Sequence, residues 1–190
     1  MIPKWNAAGL IPPIRPSQPG HSPDRSPYTV SIDVLVDYFS FSEKRIEILY
    51  GLLLYRKELY EIGIIDGFQW IDGSFVEKVE EAESRDPRDV DVVTFYALPN
   101  GQTQTSLLKD HSELFNHERI KSTFLVDSYY QQLGDKLSKN QIVRISYWYS
   151  MWSHRRDGIW KGFIQVDLNQ TLDYEVLKVL NSKRLKGAWS

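Results

Sequence analysis

Two stretches decide the fold: Ile71-Asp72-Gly73-Ser74-Phe75 and, after an acidic segment, Asp89-Val90-Asp91-Val92-Val93. The first predicts a strand that ends in a tight turn. Gly73 lacks a Cβ atom, so the backbone can bend sharply and a ligand can approach it closely. Ser74 offers a hydroxyl where a helix would begin, and free amides at a helix N-terminus suit phosphate oxygens. We expect Gly73 and Ser74 to contact a nucleotide.

The second stretch predicts a metal site. Residues 90–97 form the most strand-like segment of the chain, because they are rich in β-branched and aromatic residues. Positions i and i+2 of a strand face the same side, so Asp89 and Asp91 project together. Two close carboxylates repel each other unless a cation lies between them, and Mg²⁺ takes oxygen ligands. The alternative interpretation is a surface turn followed by an edge strand with two solvated aspartates.

Outward from these motifs, hydrophobic periodicity predicts an α+β fold. We expect a mixed, twisted sheet of four or five strands with helices on one face. Helices are predicted at residues 31–39, 42–62, 107–119 and 173–184, and strands at 68–71, 90–97, 124–130, 142–152 and 159–168.

The first 28 residues have a different composition from the rest of the chain. Seven of the nine prolines lie there, and proline removes a backbone donor and fixes φ, so neither a helix nor a central strand is expected. We predict a proline-rich arm over residues 1–28 and one domain over 29–190. Trp5, Leu10, Ile11 and Ile14 are expected to dock the arm onto the domain.

Composition excludes several classes of protein. There is no cysteine, and 23 basic residues face 25 acidic ones, which argues against thiolate chemistry and against general DNA binding. Neither a secretory signal nor a long apolar stretch is present, so we expect a cytoplasmic protein without a membrane partner. P-loop and serine-hydrolase motifs are also missing from the sequence.

The combination of Gly73-Ser74 with Asp89-x-Asp91 resembles the polymerase-β-type nucleotidyltransferase superfamily, although the spacer between the motifs is longer here. Further likeness to small bacterial nucleotidyltransferase-like proteins lies in residues 9–13 (Gly-Leu-Ile-Pro-Pro), a pair of helices before residues 71–75, an aromatic strand at residues 147–152 and Lys-Gly at residues 161–162. The resemblance implies a third carboxylate that shares the metal and activates the acceptor. Asp127, on the next predicted strand, is favoured over Asp167.

A basic cluster follows the aromatic segment at residues 153–158, with Lys161 beyond it. Arginine offers a planar fork for phosphate oxygens, so the cluster is either a phosphate or RNA contact or a solvated loop. Lys161 is the more specific candidate, because it lies in a predicted strand, and we expect it to contact the nucleotide. The aromatic residues Trp148, Tyr149, Trp152 and Trp160 are expected to fill the core.

The resemblance implies a Mg²⁺-dependent enzyme that transfers an NMP group from an NTP, with ATP as the expected donor, to a protein or tRNA hydroxyl. Asp89, Asp91 and Asp127 would be catalytic and bind the metal. By analogy with toxin-antitoxin and phage-defence systems, a partner protein from the same operon is expected. Two other hypotheses stay open. One is an inactive nucleotidyltransferase-fold protein that binds nucleotide or assembles with a partner, and the other is an RNA-binding module.

Overall fold

The computed structural model describes residues 1–134 and 136–186 of the chain. The described part contains five strands: β1 (Tyr28–Val30), β2 (Gly67–Asp72), β3 (Val90–Tyr96), β4 (Val126–Gln132) and β5 (Ile164–Asp167). It contains seven α-helices: α1 (Ile32–Phe39), α2 (Glu43–Glu61), α3 (Val79–Ala82), α4 (Gln104–Asp110), α5 (His117–Phe124), α6 (Lys139–Trp152) and α7 (Gln170–Lys186). The predicted α+β class is confirmed. No helix in this part of the chain is long and apolar enough to cross a membrane.

The strands form a single mixed sheet in the order β1-β5-β2-β3-β4. Strand β2 is antiparallel to both of its neighbours, β5 and β3, whereas β1 runs parallel to β5 and β4 runs parallel to β3. The two motif-bearing strands, β2 and β3, are therefore adjacent, and β4 lies beside β3 at the edge of the sheet.

One face of the sheet carries the main hydrophobic core. Helices α1, α2, α5 and α7 pack on this side, where Val90, Val92 and Tyr96 of β3 are buried. Helix α2 begins as predicted, because the Ser42 hydroxyl accepts a hydrogen bond from the Arg45 amide at its N-terminus. Such a cap satisfies one of the free amides in the first helical turn.

The opposite face is covered as well, so the prediction of helices on one face only was wrong. Residues 142–152 were expected to be a strand because they are rich in aromatic and β-branched side chains, but they lie within α6. A capping box formed by Ser138 and Gln141 starts this helix. Trp148 and Trp152, one helical turn apart, are buried in a second, smaller core.

That second core also contains Val93 and Phe95, the β3 residues that face away from the main core. The expectation that the aromatic segment fills the core is confirmed for Trp148 and Trp152. It was wrong for Tyr149, which is 37% exposed, and for Trp160, which is 64% exposed.

The single helix expected at residues 107–119 is divided. Helix α4 ends at Asp110, a short 3-10 helix follows (Ser112–Phe115), and α5 begins at His117. The division has a local cause: the Asn116 side chain accepts a hydrogen bond from the Arg119 amide and so caps a new helix. This second helix leads directly into β4.

Residues 1–27 contain neither a helix nor a strand, apart from an isolated bridge between Ile14 and Arg25. Leu10 and Ile11 are almost fully buried. The Trp5 indole donates a hydrogen bond to the Val76 carbonyl at 2.9 Å. This N-terminal segment is therefore packed close to the chain that follows the Gly73-Ser74 turn.

Candidate functional site

Three aspartates lie side by side across three neighbouring strands. Asp72 at the end of β2 is paired with Asp91 of β3, which is in turn paired with Asp127 of β4. Directly paired residues project from the same face of a sheet, with Cβ atoms about 5 Å apart. We call these three residues the acidic row. The structure thus brings the predicted Asp91 and Asp127 together and adds Asp72, which the sequence interpretation did not select.

Asp89 flanks the acidic row. It lies two positions before Asp91, just ahead of β3, and its carboxylate is 2.9 Å from the Lys121 ammonium. The same ammonium is 2.7 Å from an Asp127 oxygen. Lys121 belongs to α5, the helix that immediately precedes β4. A cation of the protein itself therefore lies between two of the three predicted metal ligands.

The Gly73-Ser74 turn closes the other side of the site. Gly73 has φ of +82° and ψ of −166°, a region open essentially to glycine alone. A Cβ atom at this position would lie 2.1 Å from Oδ2 of Asp91, so the glycine leaves room for that carboxylate. Ser74 begins only a three-residue 3-10 helix (Ser74–Val76), which is shorter than the helix expected there. Its amides therefore offer a phosphate group less than a full helix N-terminus would.

Lys161 is buried on the Asp72 side of the site. Its ammonium lies 2.7 Å from Glu77 Oε1, 3.1 Å from Asp72 Oδ1 and 3.3 Å from the Gly73 carbonyl oxygen. The ammonium donates hydrogen bonds to Glu77 Oε1 and to the Gly73 carbonyl oxygen, whereas Asp72 Oδ1 is an ion-pair contact. The side chain therefore fastens the turn to the end of β2, and it is only 4% exposed.

The two arginines of the basic cluster, Arg155 and Arg156, lie in different environments. Arg155 lies 3.4 Å from an Asp157 oxygen and 3.8 Å from oxygens of Glu77 and Glu83. Its guanidinium is thus directed toward acidic side chains of this chain, whereas Arg156 is exposed.

Burial shapes the electrostatics of the acidic row. The pKa of Asp91 is raised to about 7, chiefly by burial and then by its aspartate neighbours. The pKa of Asp72 is raised to about 6 by burial, against the lowering effect of Lys161. Burial alone would lower the pKa of Lys161, but its two carboxylate partners raise it above the usual value. The pKa of Lys121 is raised by its hydrogen bond to Asp127.

Two buried carboxylate oxygens of the row accept no hydrogen bond: Oδ1 of Asp72 and Oδ1 of Asp127. The first lies 3.1 Å from Lys161 and the second 3.4 Å from Nε2 of His117, but neither contact has hydrogen-bond geometry. Buried carboxylate oxygens are normally satisfied. Their chemistry fits a hard divalent ion such as Mg²⁺, which selects oxygen ligands.

The spatial arrangement of these carboxylate oxygens, in contrast to their chemistry, does not match a metal site. Among residues 1–134 and 136–186, no group of three or more His, Asp or Glu side chains is placed so that it could hold a metal ion. In this structure the Lys121 ammonium lies between the carboxylates of Asp89 and Asp127.

Asp167, the alternative third carboxylate, lies elsewhere. It is paired with Phe68 at the start of β2, whereas Asp72 ends that strand. The site residues that sequence reasoning missed include Asp72 and Lys121. The sequence contained a signal for Asp72, since this residue directly precedes Gly73 in the stretch Ile71–Phe75. Lys121 had none, because its position depends on how α5 packs against β4.

Comparison with known proteins gives a family but no activity. No curated protein and no solved structure matches the chain. A family model does match, over residues 3–167, and the family is described as a family of unknown function (DUF6932). Since the match spans most of the 190 residues, the chain belongs to the DUF6932 family.

Proposed function

We propose that the acidic row and the Gly73-Ser74 turn form the active site of a metal-dependent nucleotidyltransferase. The enzyme would transfer an NMP group from an NTP, with ATP as the expected donor, to a hydroxyl of a protein or of a tRNA end. The observation that carries the proposal is the register that aligns Asp72, Asp91 and Asp127 across three strands. Lys161 contacts Asp72 and Lys121 contacts Asp127, yet the pKa of Asp91 stays raised to about 7, so these two lysines do not fully offset the three carboxylates.

Asp89, Asp91 and Asp127 would hold Mg²⁺ through their carboxylate oxygens. When bound, the ion would neutralise the phosphate oxygens that gain charge during transfer. The Ser74 hydroxyl and the amides of the turn would contact the phosphates of the nucleotide. Lys161 was predicted to contact the nucleotide directly, but its three neighbouring acceptors favour an indirect role, in which it fixes the position of the turn.

Asp127 is the residue best placed to accept the acceptor's proton. Its Oδ1 has no hydrogen-bond donor, while Oδ2 accepts one from Lys121. In the proposed step the acceptor oxygen forms a bond to the α-phosphorus of the NTP. The bond from that phosphorus to the bridging oxygen breaks, pyrophosphate leaves, and the hydroxyl proton passes to Asp127.

A second candidate function rests on Lys121. An ammonium between Asp89 and Asp127 is also what a protein that had lost its metal site would have. Such a protein would bind nucleotide without turnover, or would assemble with a partner such as one from the same operon. An RNA-binding module is less favoured, because Arg155 of the basic cluster already faces three acidic side chains.

The test is label transfer with a matched pair of variants. The protein is incubated with α-labelled NTPs, Mg²⁺ and cell lysate, and labelled protein and RNA are separated. We expect transfer by the wild type and by Asp167→Asn, and a loss on the order of 100-fold in Asp127→Asn, because the proton acceptor is removed. Equal transfer by the two variants would contradict the assigned role of Asp127. Calorimetric binding of ATP and Mg²⁺ without any label transfer would favour the inactive alternative.

A further inference from the structure

Lys121 is held by two carboxylates yet remains accessible. Its ammonium lies 2.7 Å from Asp127 Oδ2 and 2.9 Å from Asp89 Oδ2, and its side chain is 40% exposed. Lysine carries its charge on a flexible four-carbon stem. The ammonium could therefore move into solvent without any movement of the sheet or of α5.

The charges around Lys121 explain why it lies there. The acidic row and Asp89 bring four aspartates together, and among the described residues the lysines that contact them are Lys121 and Lys161. Lys161 is only 4% exposed and lies between Asp72 and Glu77, so it cannot move to the other end of the row. Lys121 therefore supplies the positive charge for the Asp89–Asp127 end.

A divalent ion and Lys121 would compete for the same oxygens. Asp89 and Asp127 are two of the three residues proposed above to hold Mg²⁺, and both contact the ammonium. Both cations would need the space between these two carboxylates, and like charges at that distance repel strongly. An ion of charge two would also offset more of the excess negative charge than the ammonium does.

We propose that Lys121 is a displaceable internal counter-ion that occupies the cation position of the site and leaves it when a divalent ion binds. This inference rests on the proposed function. It makes Lys121 a positioning residue that sets how readily the site takes up metal. In the metal-free protein the lysine keeps Asp89 and Asp127 in place. Once displaced, its ammonium lies at the rim of the site, where a phosphate group would attract it.

The first experiment measures Mn²⁺ binding by calorimetry or by electron paramagnetic resonance, without nucleotide. It compares the wild type with Lys121→Met and with Lys109→Met, which removes the same charge from an exposed position on α4. We expect Lys121→Met to bind Mn²⁺ at least ten-fold more tightly than the wild type, and Lys109→Met to change the affinity less than two-fold. Thermal unfolding of each variant verifies that it is folded.

The outcomes separate this inference from the proposed function. If Lys121→Met binds Mn²⁺ no more tightly than the wild type, the counter-ion role is overturned, while the metal site and the proposed enzyme stand. If neither protein binds Mn²⁺ at millimolar concentrations, both proposals fall. Tighter binding by Lys121→Met supports the inference even when no label transfer is found.

A second measurement uses the unmodified protein, so it does not depend on the folding of a variant. Brief acetylation of lysines, followed by mass spectrometry of peptides, is carried out with and without saturating Mg²⁺. We expect labelling of Lys121 to rise at least three-fold with Mg²⁺ and labelling of Lys109 to stay constant. Unchanged labelling of Lys121 under conditions where the ion binds would overturn the proposal.

Discussion

The two ends of strand β2 differ in the balance of buried charge: near its start a positive and a negative charge are paired, whereas at its end negative charge is in excess. Toward its start, Gln69 belongs to a network centred on Arg56, which is completely buried. The Arg56 guanidinium donates to both carboxylate oxygens of Asp173, to the Gln69 side chain and to the Asp167 carbonyl, at 2.5 to 3.1 Å. Tyr60 donates a further hydrogen bond to Asp173. One positive charge therefore meets one negative charge, and their hydrogen-bonding groups are paired.

At the other end of β2, Asp72 belongs to a cluster in which negative charge exceeds positive charge. Carboxylate oxygens of Asp72 and Asp127 are buried without a hydrogen bond, and the pKa of Asp91 is raised to about 7. Both ends lie in the same sheet, so the difference is not a matter of depth or fold. Balanced burial at one end holds helix α7 against α2. Raised carboxyl pKa values such as those at the other end cluster at functional sites, and they support the cation site proposed above.

The largest loss of stability is expected when the buried ion pair between Arg56 and Asp173 is broken. Arg56→Met leaves the Asp173 carboxylate buried with Tyr60 as its remaining side-chain donor among the described residues. Removing one partner of a buried ion pair costs about 3–5 kcal/mol. Urea unfolding monitored by tryptophan fluorescence measures this loss. The matched control is Lys57→Met, because Lys57 is exposed and its ion pair with Glu61 spans 3.5 Å. A loss below about 1 kcal/mol in Arg56→Met would show that the network is not the stabilising contact described here.

A smaller loss of stability is expected from a substitution in the Gly73-Ser74 turn, which borders the acidic row. Gly73→Ala places a methyl group 2.1 Å from Asp91 Oδ2 and forces alanine into a backbone region that costs about 1–3 kcal/mol. Gly101→Ala is the control, since Gly101 also has a positive φ, of +77°, but has no neighbouring atom within 4 Å. Urea unfolding should show the greater loss for Gly73→Ala. Equal losses would mean that Asp91 moves aside freely and that the turn does not position it.

The sequence predicted the centre of the sheet better than its surroundings. Strands β2 and β3 were predicted because alternating apolar side chains and a glycine turn are local signals. Helix α6 was not, since its aromatic residues suit a strand equally well. The capping box of Ser138 and Gln141 was a local signal for a helix that the prediction did not use, and packing against Phe95 and Phe163 stabilises the helix.

The acidic residues of the candidate site were predicted from the sequence in part, whereas the lysine that contacts them was not. Asp89 and Asp91 were predicted from strand alternation. Asp127 was favoured over Asp167 because the nucleotidyltransferase resemblance implies a third carboxylate on the next strand, and the sheet register pairs it with Asp91. Lys121 could not be predicted, because its contact with Asp127 depends on how α5 turns into β4, where Leu125 adopts a left-handed conformation. A sequence pattern identifies residues that share a face, but not the counter-charge that another element supplies.

The smallest change in stability, and the only predicted increase, is expected from a substitution within the acidic row. Asp91→Asn keeps the shape of the side chain and removes a charge that burial and neighbouring aspartates oppose. The folded pKa of Asp91, about 7, exceeds the ordinary value of 3.8. Ionisation therefore lowers the free energy of unfolding progressively between about pH 4 and pH 7. The full shift corresponds to about 4 kcal/mol, which partial exposure and coupling to neighbours reduce to ~1–2 kcal/mol.

Urea unfolding at pH 4.5 and pH 8 tests both the sign and the pH range of this effect. At pH 8 Asp91→Asn should be more stable than the wild type by about 1–2 kcal/mol. The difference should be smaller at pH 4.5, because the wild type loses stability only as the pH rises from the unfolded pKa of 3.8 toward the folded value. Asp167→Asn removes the same charge from an exposed position, and we expect a change below about 0.5 kcal/mol at either pH. Lower stability of Asp91→Asn at pH 8 would show that the carboxylate is already compensated by the protein. The contrast between the two ends of β2 would then disappear, and with it the physical argument for a cation site.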